Sequence, residues 1–414
     1  MKFLIVGAGA QGGPAASILA HDKETEAAVV GDIDLNRAKR VVAKVGSNKI
    51  TAQKVDASNL ENLVNAAKGC DAILNFTQPR FNITIMEASL KVGAHYVDTA
   101  AGPNFQLEPV DLMLDRQFAY DKKFKDAKLL AVPACGGTPG LTDVLAKYCA
   151  DELDTVEEIG VYSSHRPIAP KKGLDVKPFY LGWSNEVALL YHATPGIVYE
   201  NGKYIRMPPL SGYEEYPFPL PCGPAPCTYV DHEEPYLIGK FIGKGLKRAI
   251  FKQAPNEFAS TLVATGFADP KAIDVKGMKV VPRDVLLALI REPVERFFEE
   301  QMPTKLPEPT SYRGSVVTAK GTKEGENVTI TLDMGSVNRT LEEMQTMYKR
   351  LGTLLIYVAM PAIVAMKLKI AKKTDLTGVM GPECYDAQLF LKTMTKEGSP
   401  VKFYENIKTE KSIQ

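Results

Sequence analysis

Near the start of the chain an unbroken apolar run, Phe3 to Val6, leads directly into Gly7-Ala8-Gly9-Ala10-Gln11-Gly12 and an alanine-rich stretch ending at Ala20. So short and continuous a run reads as a buried central strand, and the alanine-rich stretch as a helix. The glycines have separable tasks. Gly7 permits the tight turn out of the strand, Gly9 lets main-chain amides approach a pyrophosphate, and Gly12 lets the helix pack against the strand. The helix start then offers unpaired N–H groups and a positive dipole end to the phosphates, with Ala10 and Gln11 in the same loop. The next apolar run, Ala27 to Val30, leads to Asp32. That is the offset of about 20 residues at which an acid binds the adenosine ribose hydroxyls. Strand, bend, helix and distant acid together predict a dinucleotide site rather than an ordinary glycine-rich turn.

Strand and helix patterns keep alternating as far as Leu153, which predicts an α/β fold, a Rossmann-type doubly wound parallel sheet over residues 1–150. Asp34 is placed to cap a helix Leu35 to Val45, and Asp56 to cap a helix Leu60 to Ala67, with Asp56-Ala57 at the adenine edge. Pro109 to Lys125 reads as one charged helix. Ligands of such sheets lie at the carboxyl ends of the strands. That rule nominates Asn75 to Gln78, Asp98 to Ala100 and Ala134 to Gly140 as the floor of the site, with Asn75, Phe76, Thr77, Thr99, Gly136 and Gly137 on the cofactor side. From Val156 the pattern changes to short β-rich runs separated by Pro and Gly, predicting an α+β substrate and dimerisation domain over 151–338, with helices at Trp183 to Tyr191 and Asp284 to Glu299. Glu324-Gly325-Glu326-Asn327 is placed as the hairpin connection between its last two strands. Residues 339–414 read as a helical return onto the first domain, with a frayed tail from Lys408.

The balance of charge excludes one class of partner. With 50 Lys and Arg against 49 Asp and Glu the formal charge is +1, without the basic excess of a nucleic-acid binder. The chain enters its first strand without a charged leader, so a cytoplasmic enzyme with six reduced cysteines is expected. Those cysteines lack metal-ligand spacing, and no metal is expected. Leu351 to Met366 carries no charge, yet it is short for a membrane span and contains Pro361, so it reads as a buried helix that would suit a subunit contact, with peripheral membrane attachment as the alternative.

Candidates for the chemistry gather where the two domains face each other. Asp98 is a candidate base whose pKa burial would raise, or a loop cap. Cys135 is an acid-base thiol or an apolar lining residue. His232, beside Glu233 and Glu234, is a catalytic imidazole held in one tautomer by a carboxylate, or part of a surface loop. Arg166, with His165, and Arg313 are candidate carboxylate clamps. Trp183 is a pocket wall or a core residue.

Several further stretches resemble the saccharopine dehydrogenase-like family, most closely its NAD-dependent lysine 6-dehydrogenase branch. They are Gly31-Asp-Ile-Asp-Leu35, Tyr96-Val-Asp98, Gly137-Thr-Pro-Gly140, Tyr199-Glu-Asn-Gly-Lys203, His232-Glu-Glu-Pro235, Val281-Pro-Arg-Asp-Val-Leu286 and Gly378-Val-Met-Gly-Pro-Glu383. The resemblance implies an inserted substrate domain, a homodimer, and oxidation of a C–N bond of a small amino-acid substrate or the reverse imine reduction. Imine reductases that form saccharopine or carboxynorspermidine are the alternative within the class. A dinucleotide-binding sensor without turnover is the alternative outside it. Asp32 favours NAD, because a carboxylate repels a 2′-phosphate; Arg37 and Arg40 keep NADP open.

Overall fold

In the computed structural model, which describes residues 1–102, 112–168, 181, 184–290 and 293–410, the first strand lies in the interior of a seven-stranded parallel sheet. The elements that build it are β1 (Lys2–Val6), α1 (Gly12–His21), β2 (Ala27–Asp32), α2 (Leu35–Val45), β3 (Ile50–Lys54), α3 (Leu60–Ala67), β4 (Ala72–Asn75), α4 (Asn82–Val92), β5 (His95–Asp98), α5 (Met113–Phe118), α6 (Asp121–Asp126), β6 (Leu130–Val132) and α7 (Leu141–Asp151). The strand order is β3-β2-β1-β4-β5-β6, and the pair Gly378–Val379 is added beyond β6. Successive side chains serve opposite faces. Phe3 and Ile5 pack with Val30, Leu74 and Val132, whereas Leu4 and Val6 pack with Ile73 and Tyr96. Both faces are therefore buried, which is why these strands read as unbroken apolar runs.

The apolar run that ends at Met366 belongs to this core. Helix Ala359–Ile370 is buried from Ala359 to Leu368 and packs on α1, β4 and β5. Pro361 lies in its first turn, where a missing N–H breaks no helical bond. Among the described residues no helix is long and apolar enough to cross a membrane.

β7 (Thr155–Pro167) leaves α7 and starts a nine-stranded mixed sheet, parallel to Arg248–Gln253 on one side and antiparallel to Ser311–Lys323 on the other. Lys323 pairs with Glu326, and the two connecting residues, Glu324 and Gly325, have φ of 54° and 79°, a primed two-residue turn. The expected helix Pro109 to Lys125 is two short helices, α5 and α6, with residues 103–111 outside the described part. The expected helix Asp284 to Glu299 is likewise two, Pro282–Leu289 and Glu295–Glu299. Asn59, not Asp56, caps α3, because Asp56 spends its carboxylate on Ser58. The return after Arg339 is not wholly helical. It supplies Gly378–Val379 to the first sheet and Tyr404–Glu410 to the second, so strand pairing holds the tail as far as Glu410.

Candidate functional site

The glycine bend is built as its spacing demands. Gly7 has φ of +100°, and a Cβ there would stand 3.1 Å from the Phe76 carbonyl oxygen. A Cβ on Gly12 would lie 1.8 Å from the Gly7 carbonyl oxygen, so bend and helix touch through backbone alone. A Cβ on Gly9 would meet nothing within 4 Å. That open space is the wall of a cavity of about 410 Å³ whose lining includes Ala10, Gln11, Asp32, Asp56, Ala57, Phe76 and Thr77. Asp32 is buried at its edge, with Oδ2 accepting from the Ala8 amide at 2.8 Å and Oδ1 from the Asp34 amide at 2.8 Å. These features fit a dinucleotide: an unobstructed loop for the pyrophosphate and a carboxylate for the ribose.

Residues that sequence reasoning did not nominate close this cavity. Leu287, Pro293 and Val294 line it from the inserted domain, and Phe297 of the adjoining helix rests against Gly13, where a Cβ would come within 2.6 Å of the ring. Arg40 is committed to Glu295 at 3.2 Å and lies 4.0 Å over the Phe298 ring. Arg37 lines the cavity near Asp32. Glu186 gathers Gln78, Arg80 and Arg283, tying the end of β4 to the inserted domain.

A second cavity, of about 380 Å³, shares the wall formed by helix Asn185–Leu190. Thr99 and Thr138 reach it from the nucleotide domain, Ser163, His165, Tyr191, His232 and Gln253 from the inserted domain, and Tyr357 from the return. Thr99 thus stands in this cavity rather than beside the glycine bend. Gly136 and Gly137 serve packing here: a Cβ on Gly136 would press Thr99, and one on Gly137 would come 2.2 Å from the Tyr357 ring. Tyr357 and Thr138 join hydroxyl to hydroxyl at 3.0 Å. Nothing in the sequence pattern pointed to Tyr357, which arrives from a distant apolar run.

His232 is the chemical centre of the second cavity. Its ring stacks on Phe251 with centroids 3.9 Å apart, and Nδ1 is hydrogen-bonded to Glu234 Oε2. Glu234 Oε1 accepts from the Thr142 hydroxyl at 2.9 Å, which fixes the carboxylate from α7. Among the described residues Nε2 has no hydrogen-bond partner. Burial alone would lower the imidazole pKa, but the Glu234, Glu233 and Asp231 carboxylates outweigh it and leave His232 above its ordinary value. Glu233 faces away from the cavity: its Oε1 accepts from the Ala101 and Gly102 amides at 2.6 and 2.8 Å. His232, Glu233 and Glu234 place three ligand atoms within 4.8 Å of one another, but Nδ1 and the Glu234 carboxylate already bind each other.

Other nominated residues have different work. Asp98 borders neither cavity. Its oxygens accept from the Ala134 amide (2.8 Å), Gln117 (2.6 Å) and the Tyr96 hydroxyl (2.9 Å). Burial lifts its carboxyl to about 7 against the pull of these donors. With its lone pairs engaged it positions the floor and cannot reach a substrate proton. Asn75 belongs to the same network, through Tyr96, Asn82 and Thr77. Cys135 is fully buried with its thiol pushed up by burial, and it lines neither cavity. Arg166 turns to the opposite face of β7 from His165, donating to the Pro221 carbonyl at 2.8 Å and lying over Tyr312. It is no clamp for this cavity. Arg313 stands directly across from His165 in the strand register. Trp183 lies outside the described residues.

A dinucleotide cradle and a polar cavity sharing one wall at the carboxyl edge of this sheet define the class, an NAD(P)-dependent oxidoreductase. The saccharopine dehydrogenase NADP binding domain family matches residues 3–132, and the saccharopine dehydrogenase C-terminal domain family matches residues 136–399. The chain belongs to the saccharopine dehydrogenase family. It is 29% identical over 309 residues to the carboxyaminopropylagmatine dehydrogenase of a Synechocystis species, spanning 70% of this chain and 73% of the relative. It is 27% identical over 322 residues to the carboxynorspermidine synthase of Vibrio cholerae, spanning 71% and 73%. In fold it is similar to saccharopine dehydrogenase (L-Glu forming) from Saccharomyces cerevisiae, with a TM-score of 0.65, 15% identity, and 99% of this chain and 100% of the other covered. A homospermidine synthase from Legionella pneumophila, solved with NAD, gives a TM-score of 0.61 at 15% identity, with 98% and 91% covered.

Proposed function

We propose that this chain reduces the C=N bond between an amine and a carboxylate-bearing carbonyl compound, or oxidises the resulting secondary amine, with His232 moving the proton at nitrogen. The observation that carries the reading is the buried His232–Glu234 pair, whose Nε2 is left to a cavity that also receives Thr99 and Thr138 from the nucleotide domain. The dinucleotide, when bound along the glycine bend, supplies or takes the hydride. His232 Nε2 gives a proton to the nitrogen in the reductive direction and removes one in the oxidative direction, because an ammonium nitrogen has no lone pair with which to expel a hydride. Glu234 holds the tautomer with the proton on Nδ1 and stabilises the imidazolium. Arg313 and His165, paired across two strands, take a substrate carboxylate.

The charges at the site narrow the substrate. With Arg166 turned away, Arg313, opposite His165 in register and near enough to Tyr357 to act on its hydroxyl, is the guanidinium offered to the cavity among the described residues, while Glu233, Glu234 and Asp231 set a negative field behind His232. One cationic clamp and one acidic side suit a molecule with a single carboxylate and further amines. Relatives named for carboxylated polyamines support that choice, and lysine, which has the same balance of charge, is the second reading. Asp32 supports NAD over NADP in either case. The test follows absorbance of the reduced nicotinamide. The protein is given NADH or NADPH with diamines, each paired with a short carboxylated aldehyde or 2-oxo acid, and separately NAD with lysine. Turnover of the paired substrates supports the first reading and oxidation of lysine alone the second. No turnover in any arm refutes both.

A further inference from the structure

Beneath the His232–Glu234 pair lies a second pair of buried acids. Asp143 stands in the first turn of α7, one residue after the threonine that holds Glu234, and Glu383 ends the Gly378-Val-Met-Gly-Pro-Glu383 stretch of the return. Their relative exposures are 0% and 1%. Asp143 Oδ2 accepts from the Gly140 amide at 2.6 Å. Among the described residues Asp143 Oδ1 and both Glu383 oxygens lack a well-formed hydrogen bond, the Glu383 carboxyl meeting only its own amide at the margin, and the two carboxyls are within hydrogen-bonding reach of each other. Two ionised carboxylates cannot bond to one another, and three stranded buried oxygens would be costly. A proton between the two carboxyls supplies the missing donor and removes one of two like charges.

Building on the functional reading above, we infer that Asp143 and Glu383 share a proton and act as positioning residues for His232. The shared proton limits the negative charge beside Glu234, so that Glu234 is the ionised partner of the imidazole. It also fastens the first turn of α7, which carries Thr142, to the returning end of the chain. The groups facing the pair agree with this. Glu234 approaches from helix Glu234–Phe241, Cys135 from the loop before α7, Tyr204 from strand Lys203–Met207, and Cys384 from the next residue, with Lys147 of α7 acting on Cys384. Apart from Lys147 all of them are acidic or neutral, which favours retention of a proton. Burial first, then the neighbouring carboxylates, push the Asp143 carboxyl well above its ordinary range, and burial lifts Glu383.

The experiment uses the full chain with Asp143→Asn and Glu383→Gln, which keep shape and hydrogen-bonding capacity while removing one acid each. Infrared spectra at neutral pH read the carbonyl stretch of protonated carboxyl groups directly. The parent shows such absorption, and part of it is lost in both variants. NMR of labelled histidine, with His232 assigned by its own substitution, follows the imidazole titration. Each single variant leaves one carboxylate and the charge of the pair in place, whereas the double variant Asp143→Asn/Glu383→Gln removes that charge and lowers the His232 pKa by about half a pH unit or more. Infrared spectra unchanged by both substitutions overturn the shared proton. An unmoved His232 titration in the double variant, even with a lower melting temperature, reduces the pair to a packing role and overturns the positioning claim. Neither readout requires a substrate, so failure of the pair is distinguishable from failure of the proposed reaction.

Discussion

Alanine placed at two glycines three positions apart should have opposite consequences, because one Cβ meets backbone and the other meets the ligand space. At Gly12 it would stand 1.8 Å from the Gly7 carbonyl oxygen and 2.9 Å from its carbon. Overpacking costs about 1–3 kcal/mol where side chains can give way. Here the bend itself must move, so we expect a loss of about 3 kcal/mol or more. At about 2–4 °C per kcal/mol for a large domain, the melting temperature falls by about 6–12 °C. At Gly9 the Cβ finds nothing within 4 Å, and φ lies outside the left-handed region. Gly9→Ala therefore leaves the unliganded protein as stable as the parent, or up to about 1 kcal/mol more stable, because the unfolded chain loses freedom. The same methyl occupies the path of the pyrophosphate. NAD at one hundred times its dissociation constant stabilises the parent by about 2.7 kcal/mol. Gly9→Ala should lose most of that increment at equal NAD concentration. Thermal unfolding of the three proteins with and without NAD gives all the numbers. A full NAD-induced shift in Gly9→Ala, or an unliganded Gly12→Ala as stable as the parent, would refute the assignment of roles within the bend.

His232→Ala should lower kcat/KM by about 10²–10⁴, the usual value of a positioned acid-base group, in the substrate panel described above. Glu234→Gln removes the charge that opposes burial, so the His232 limb of the pH–rate profile should move to lower pH; an unmoved limb removes Glu234 from its role. Asp32→Ala should weaken NAD more than NADP in fluorescence titrations, and an unchanged preference would contradict the ribose assignment. Lys367→Met strands Asp22 and Glu397, which the buried ammonium binds at 2.8 and 2.7 Å, and should cost about 3–5 kcal/mol in denaturant unfolding. The pH dependence has a definite sign. Burial raises the Asp22 carboxyl, but the bonds to Lys367 and Thr25 outweigh it and bring it below its usual 3.8. Its contribution is therefore present above that value and lost as pH falls through the lowered one. Lys367 is held above its usual 10.5 by the carboxylates that overcome its burial, so its contribution lasts through neutral pH and is lost only as pH rises past the raised value. The difference between parent and variant should be flat near neutrality and shrink in acid.

The nucleotide domain was legible because its signals are local. The turn Gly7 requires, the caps at α2, and the two-faced burial of β1 all act within a few residues, and α2, α3 and β5 fall where periodicity places them. The second sheet was less legible. Tyr404–Glu410 is wholly exposed and owes its form to Asn327–Asp333, far back in the chain, so no apolar pattern marks it, whereas the hairpin of Gly196–Glu200 and Lys203–Met207 carried a local signal, Asn201-Gly202, that sequence reasoning passed over. Site residues divide in the same way. His232 was visible because its carboxylate partner follows at the second residue, whereas the Thr142 that aims Glu234 is 92 positions away in the chain. Asp98 shows how position misleads: the carboxyl end of β5 is where a base would stand, yet Gln117, Tyr96 and the Ala134 amide occupy the carboxylate.

The return of the chain bears on how far the nucleotide domain can be treated as a module. Helix Ala359–Ile370 covers the face of the sheet that holds Phe3, Ile5 and Leu74, and Gly378–Val379 pairs with β6. A fragment ending after α7 would expose that face and leave β6 as a bare edge. Tyr357 and Glu383 come from the same return, one lining the substrate cavity and the other buried behind the acid-base pair. The return thus completes both the core under the glycine bend and the surroundings of His232. A dinucleotide held at the bend would for this reason rest on the packing of the return as well as on the first domain.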